Sequence, residues 1–157
     1  MTENTKKEIP SIEIRIDKDG VWYYRGNEMF RQEILELFYQ SLVKDQEGRY
    51  LIQKDGQTFY IEVEDTPYVV KSLEFSTSEK SGNDGFNILL SDNSIEKLDL
   101  ETLRRGEGNI LYCSIKNNLF EARFTRQSYY QLAEYIQHEP EKDRYYITLN
   151  DRTYELP

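Results

Sequence analysis

RQEILELFYQSLVKDQEGRYLIQKDGQTFY, residues 31–60, and RQSYYQLAEYIQHEPEKDRYYITLNDRTYE, residues 126–155, align at a constant offset of 95. Arg31-Gln32 opens the first stretch and Arg126-Gln127 the second. The same offset carries Leu37 to Leu132, Arg49-Tyr50 to Arg144-Tyr145, Ile52 to Ile147 and Thr58-Phe59 to Thr153-Tyr154. In the first copy Phe30, Ile34, Leu37, Phe38 and Leu42 follow helical spacing, which predicts a helix from about Met29 to Lys44 that Gly48 ends. Arg49–Gln53 and Thr58–Val63 then form a hairpin around Lys54-Asp55-Gly56-Gln57. In the second copy Thr125 caps a helix reaching His138, Pro140 terminates it, and Arg144–Leu149 with Arg152–Leu156 make the hairpin.

A further hairpin precedes each helix. Ile12, Ile14 and Ile16 alternate with Glu13 and Arg15, Asp17-Lys18-Asp19-Gly20 supplies a turn, and Val21–Tyr24 returns until Gly26-Asn27 breaks it. Ile110–Ile115 and Leu119–Phe124 do the same around Lys116-Asn117-Asn118. The order hairpin–helix–hairpin thus occurs twice, the signature of an α+β chain with two related halves. We place them at 1–78 and 79–157. Between the copies, Tyr68–Phe75 reads as a strand following a bend at Pro67, which cannot donate to a ladder. Ser76–Gly85 is polar and loop-like, Phe86–Leu90 is a strand, and Ser94–Leu103 fits either a short helix or a strand.

Composition narrows the chemistry. The 157 residues carry a net charge of −9, which disfavours a nucleic-acid polymer or an anionic membrane as partner. One Cys and one His exclude a Cys/His zinc site, a disulfide framework and a CxxC redox motif. Thirteen Tyr and seven Phe separate the chain from an acidic disordered one and belong mainly to strands. Residues 1–10 are polar and no apolar run spans a membrane, so the expected location is the cytoplasm.

Familiar catalytic templates fit poorly. Gly106-Glu107-Gly108 lacks the third glycine of a dinucleotide loop, and Asp17-x-Asp19-Gly20 is simpler as a hairpin turn than as a calcium loop. His138 falls in a predicted last helical turn and Cys113 on an apolar strand, where both are structural. Glu62 and Glu64 share one strand face beside Asp65, as paired acids or a Mg²⁺ site would, but a solvated face of an acidic protein is the simpler reading. The arginines are more informative. Arg31 and Arg126 each fall in the first turn of a helix, where the macrodipole disfavours a cation unless something anionic bridges it and the free N–H groups. An internal carboxylate (Glu64 or Asp65) or a bound phosphate would serve, and Arg123 adds a second guanidinium nearby in sequence.

Several blocks resemble the bacterial domain-of-unknown-function 1285 family: Asp19-Gly20-Val21-Trp22-Tyr23-Tyr24-Arg25-Gly26, then Arg31-x-Glu33-Ile34-x-x-Leu37-Phe38, then Ile61-Glu62-Val63-Glu64-Asp65-x-Pro67-Tyr68-Val69. Leu119-x-Glu121-Ala122-Arg123-x-x-Arg126-x-x-Tyr129-Tyr130-x-Leu132 is similar to the family's C-terminal signature. Residues 90–108 lack the T-N-x-x-D segment and His-Pro of other members. The resemblance implies two related α+β domains, the second superficially like a pleckstrin homology domain. It also implies a site for a nucleotide-like ligand at the domain interface and a role in signal transduction. Carried over by motif, the positions are Trp22, Arg31, Glu64, Asp65, Arg123, Arg126 and Tyr129.

The expectation is a non-enzymatic regulatory protein, with no cofactor and no metal. It would bind a phosphate-bearing small molecule between its halves. Arg31, Arg123 and Arg126 would take the phosphate, Trp22 or Tyr129 would stack, and Glu64 and Asp65 would orient the arginines. The rivals are a protein-interaction module binding a protein partner, and a Mg²⁺-dependent hydrolase using Glu62, Glu64 or Asp65.

Overall fold

Alternating isoleucines build the first element. In the computed structural model, which describes residues 9–80 and 82–157, strand β1 spans Ser11–Ile16 and buries Ile14 and Ile16. Asp17 makes the turn: its carboxylate accepts the N–H groups of Asp19 and Val21, and Gly20 takes a φ of 82°. Strand β2 (Trp22–Tyr24) returns antiparallel, with Ile16 opposite Trp22. The chain does not simply break at Gly26. Arg25-Gly26 turns tightly, with φ of 50° and 80°, into the two-residue strand β3, Asn27–Glu28.

Helix α1 covers Gln32–Gln40, shorter at both ends than the periodicity predicts. The Ser41 hydroxyl and N–H both donate to the Leu37 carbonyl, while the Ser41 carbonyl accepts Gln53 N–H, tying the helix end to a neighbouring strand. Leu42 therefore lies in strand β4 (Leu42–Lys44), opposite Ile52 of β5 (Tyr50–Lys54). Strand β6 (Gln57–Val63) follows a two-residue turn at Asp55-Gly56 and lies parallel to β1. The sheet order is β3-β2-β1-β6-β5-β4. Helix α1 packs on it through Phe38 and Tyr39 against Trp22.

The chain divides into two units between Asp65 and Thr66, ahead of the boundary between 78 and 79 expected from the sequence. The reason is strand pairing. Strand β7 (Tyr68–Ser76) is hydrogen-bonded to β8 (Gly85–Leu90) on one side and to β12 (Phe120–Phe124) on the other, so it belongs to the second unit. The ambiguous segment is both things in turn: β9 (Ile95–Lys97), then a short 3₁₀ turn at Leu100–Thr102. Strand β10 (Arg104–Arg105) and β11 (Leu111–Ile115) complete a mixed sheet ordered β10-β11-β12-β7-β8-β9. Its core includes Val70, Phe86, Ile88, Leu90, Cys113 and Ala122.

Helix α2 spans Arg126–Ala133 and is capped by Thr125, whose hydroxyl accepts Ser128 N–H and donates to the Val70 carbonyl. Gln131 reaches β7, accepting Leu73 N–H at 2.7 Å. The helix stops before His138, contrary to expectation. Gln137–Glu139 is instead strand β13, an edge of a separate sheet with β14 (Arg144–Leu149) and β15 (Arg152–Glu155). Strand pairing outweighs helical continuation because His138 sits opposite Tyr145, with the two rings stacked 4.4 Å apart. The molecule is thus two mixed six-stranded sheets, a three-stranded sheet and two α-helices among the described residues.

Candidate functional site

The motif positions fall on both units. Trp22 is buried at 1% exposure, its ring stacked on Phe38 at 5.9 Å and edge-on to Tyr39 at 5.0 Å. The indole therefore presents no open face and fills the core beneath α1. Glu64, just after β6, accepts Lys18 N–H at 3.2 Å and lies 3.8 Å from the Arg15 guanidinium. Arg15 sits opposite Glu62 across the parallel β1–β6 pair, so it lies between the two acids of that strand face. Nothing in the spacing of Glu62 and Glu64 points to Arg15, because a parallel neighbour is distant in sequence. Asp65 is half-buried and has an interaction partner.

In the second unit Arg123 lies on β12, half-buried and engaged. Tyr129, also half-buried, sits on α2 with its ring edge-on to Tyr130 at 6.0 Å. Cys113 is completely buried on β11, and burial pushes its thiol pKa up to about 12. It is a small core residue, as its apolar alternation indicated. The Asp17 turn proves to be a hairpin turn in which Tyr23 O–H donates to the carboxylate at 3.1 Å. That bond raises the Tyr23 pKa. Among the described residues no three His, Cys, Asp or Glu side chains come together as a metal-holding group.

The guanidinium partners separate two arginines from the rest. Arg15, Arg25, Arg49, Arg104, Arg144 and Arg152 pair with Glu64, Glu13, Asp45, Glu121, Glu139 and Glu101. Arg105 donates to the Pro157 carbonyl, and Arg123 is engaged. Arg31 and Arg126 are exposed, and neither side chain meets a hydrogen-bond or ion-pair partner among the described residues. Arg31 stands at the cap position of α1, whose first turn has no side-chain cap, and Arg126 is the first residue of α2. The internal pair with Glu64 that the sequence allowed is absent, because Glu64 is held by Arg15 and the Lys18 backbone.

These features define a two-unit α+β protein in which each unit presents, at a helix start, an arginine that meets no partner among the described residues. Residues 5–66 match the N-terminal domain of the domain of unknown function DUF1285, which bears out the resemblance of the motifs within that stretch. The fold agrees. A DUF1285 family protein from Silicibacter pomeroyi DSS-3 superposes with a TM-score of 0.74 at 20% identity, over 94% of this chain and 80% of that one. Another from Shewanella baltica OS155 gives 0.63 at 17% identity, over 78% of this chain and 91% of that one. No curated protein matches the chain.

Proposed function

We propose that this chain is a ligand-binding regulatory protein rather than an enzyme, and that its ligand is a nucleotide-like or other phosphate-bearing small molecule. One observation carries the reading: Arg31 and Arg126, equivalent under the 95-residue offset, are the arginines left without partners among the described residues. A guanidinium beside free helical N–H groups is disfavoured by the macrodipole and becomes favourable once a phosphate bridges both. Arg123 and Tyr129, on or near α2, would add a second fork and a ring for stacking.

The duplication belongs to the same reading. In each unit a helix leads into a three-stranded antiparallel meander, and β4, shifted by the offset, coincides with β13. We read the units as related halves that differ in what β6 and β15 do: β6 joins β1, whereas β15 stays in its own sheet. The second unit's strands followed by α2 support the pleckstrin-like description. A protein that binds such a ligand without turning it over would be suited to a role in signal transduction.

The test is thermal unfolding with nucleotides, cyclic nucleotides and inorganic phosphate, on the native chain and on Arg31→Ala and Arg126→Ala. Saturation at ~100 times Kd stabilises by about 2.7 kcal/mol. Either substitution should reduce that shift, and a shift untouched by both overturns the reading. The protein-interaction alternative has its own observation, the exposed side chains of Phe30, Ile95 and Leu119. Pull-down of a protein partner lost on Phe30→Ser, with no ligand shift, would favour it.

A further inference from the structure

The first unit holds a groove of about 650 Å³ that involves none of the residues assigned above. Its size falls within the range of small-molecule pockets. A break in the β1–β6 ladder makes its floor. Ser11 pairs with Tyr60 and Arg15 with Glu62, so three residues of β1 face one of β6. Such bulges re-aim side chains. Here Ile12 and Ile14 line the groove together with Phe38, Ile52 and Phe59.

Two hairpin turns form its jaws. One is Arg25-Gly26, between β2 and β3, and the other is Asp55-Gly56, between β5 and β6. Each jaw brings a cation to the rim, Arg25 on one side and Lys54 on the other. Arg25 adopts a φ of 50°, a left-handed conformation that asparagine or glycine accepts more readily. The carboxylates facing the groove are Glu13 and Asp55, 3.7 Å from Arg25 and 3.9 Å from Lys54. Both pairs are long and their carboxylates are exposed, so each is weak and exchangeable. Lys54 is the least exposed of the four charges, its stem lying against the groove.

We propose that this groove binds an anionic amphiphile, an aliphatic or fused-ring body carrying a carboxylate or sulfonate. The apolar body lies on the bulged floor, and the head group pairs with Arg25 or Lys54 at the rim in place of Glu13 or Asp55. This site is independent of the phosphate reading above.

Trp22 is the sole tryptophan, and its ring stacks on Phe38, a wall of the groove, so it reports occupancy directly. Anilinonaphthalene sulfonate serves as probe, with energy transfer from Trp22 as the signal, and dodecanoate and dodecylamine as competitors. Expected are saturable transfer, displacement by dodecanoate in preference to dodecylamine, and about tenfold weaker probe binding by Arg25→Gly/Lys54→Gln. Glycine suits the backbone at position 25, so thermal unfolding of the double variant should be unchanged, and that measurement separates loss of the site from loss of the fold. For a folded double variant, unchanged probe affinity overturns the proposal. Displacement by dodecylamine as good as by dodecanoate, or no saturable transfer in the native chain, overturns it equally.

Discussion

Asp92 holds the second unit's loops together, and its replacement by asparagine makes a quantitative test. Its carboxylate accepts the N–H and hydroxyl of Ser94 and the Lys116 ammonium at 2.9 Å, while Lys116 N–H donates to Glu96. The β8–β9 turn is thereby tied to the β11–β12 turn, where Lys116, Asn117 and Asn118 have φ of 53°, 56° and 65°. The Asp92 and Lys116 side chains are 14% and 27% exposed, between the surface and fully buried cases. Removing one partner costs 0–1 kcal/mol at the surface and about 3–5 kcal/mol in the interior. Asparagine keeps an acceptor for Ser94 but abandons the ammonium, so Asp92→Asn should cost about 2 kcal/mol. At 2–4 °C per kcal/mol, Tm should fall by roughly 4–8 °C.

The pH dependence gives an independent check. Burial by itself would raise the Asp92 pKa, but the bonds from Ser94 and Lys116 outweigh it and the folded value is lowered. A depressed carboxylate contributes its stability above its unfolded pKa of about 3.9 and loses it as pH falls through the folded value. The difference between native chain and variant should therefore stay constant from pH 7 to about 5 and shrink below about pH 4. Urea unfolding followed by circular dichroism across that range measures both. A cost below about 0.5 kcal/mol, or parallel stability curves down to pH 3, would refute the reasoning.

Three other outcomes follow from burial and capping. Cys113, with its thiol pushed up to about 12 and no exposure, should resist alkylation at pH 8 in the folded chain and react rapidly in urea. Leu132 is fully buried on α2, and Leu132→Ala should cost about 3 kcal/mol in chemical denaturation. Thr125→Ala removes the cap of α2 and the bond to Val70, and should cost about 1–2 kcal/mol. Thr125→Ser should restore most of that loss.

The candidate site was legible in part. Arg31 and Arg126 stood out from sequence because their helix starts could be read from periodicity and from Thr125. That Glu64 belongs to Arg15 could not be read, since the β1–β6 pairing joins strands separated by a hairpin, a helix and another hairpin. Trp22, a candidate for stacking on a ligand, is packed under α1 because Phe38 and Tyr39 close over it. The groove left no sequence signal either. It arises from a bulge and two turns that come together only once β5 and β6 stand beside β1.

Local chemistry by itself determined the hairpins, the two helix starts and the 95-residue correspondence, because period-2 alternation, turn residues and caps act over a few neighbours. Tertiary structure alone decided where the helices stop. Leu42 and His138 sit at positions where helical and strand patterns are both allowed, and pairing with Ile52 and Tyr145 resolves them as strands. It also decided that β7 joins the second unit and that β15 stands apart from the larger sheets. Ladder partners are chosen by non-local hydrogen bonds and burial, and no short stretch of sequence contains both sides of that choice.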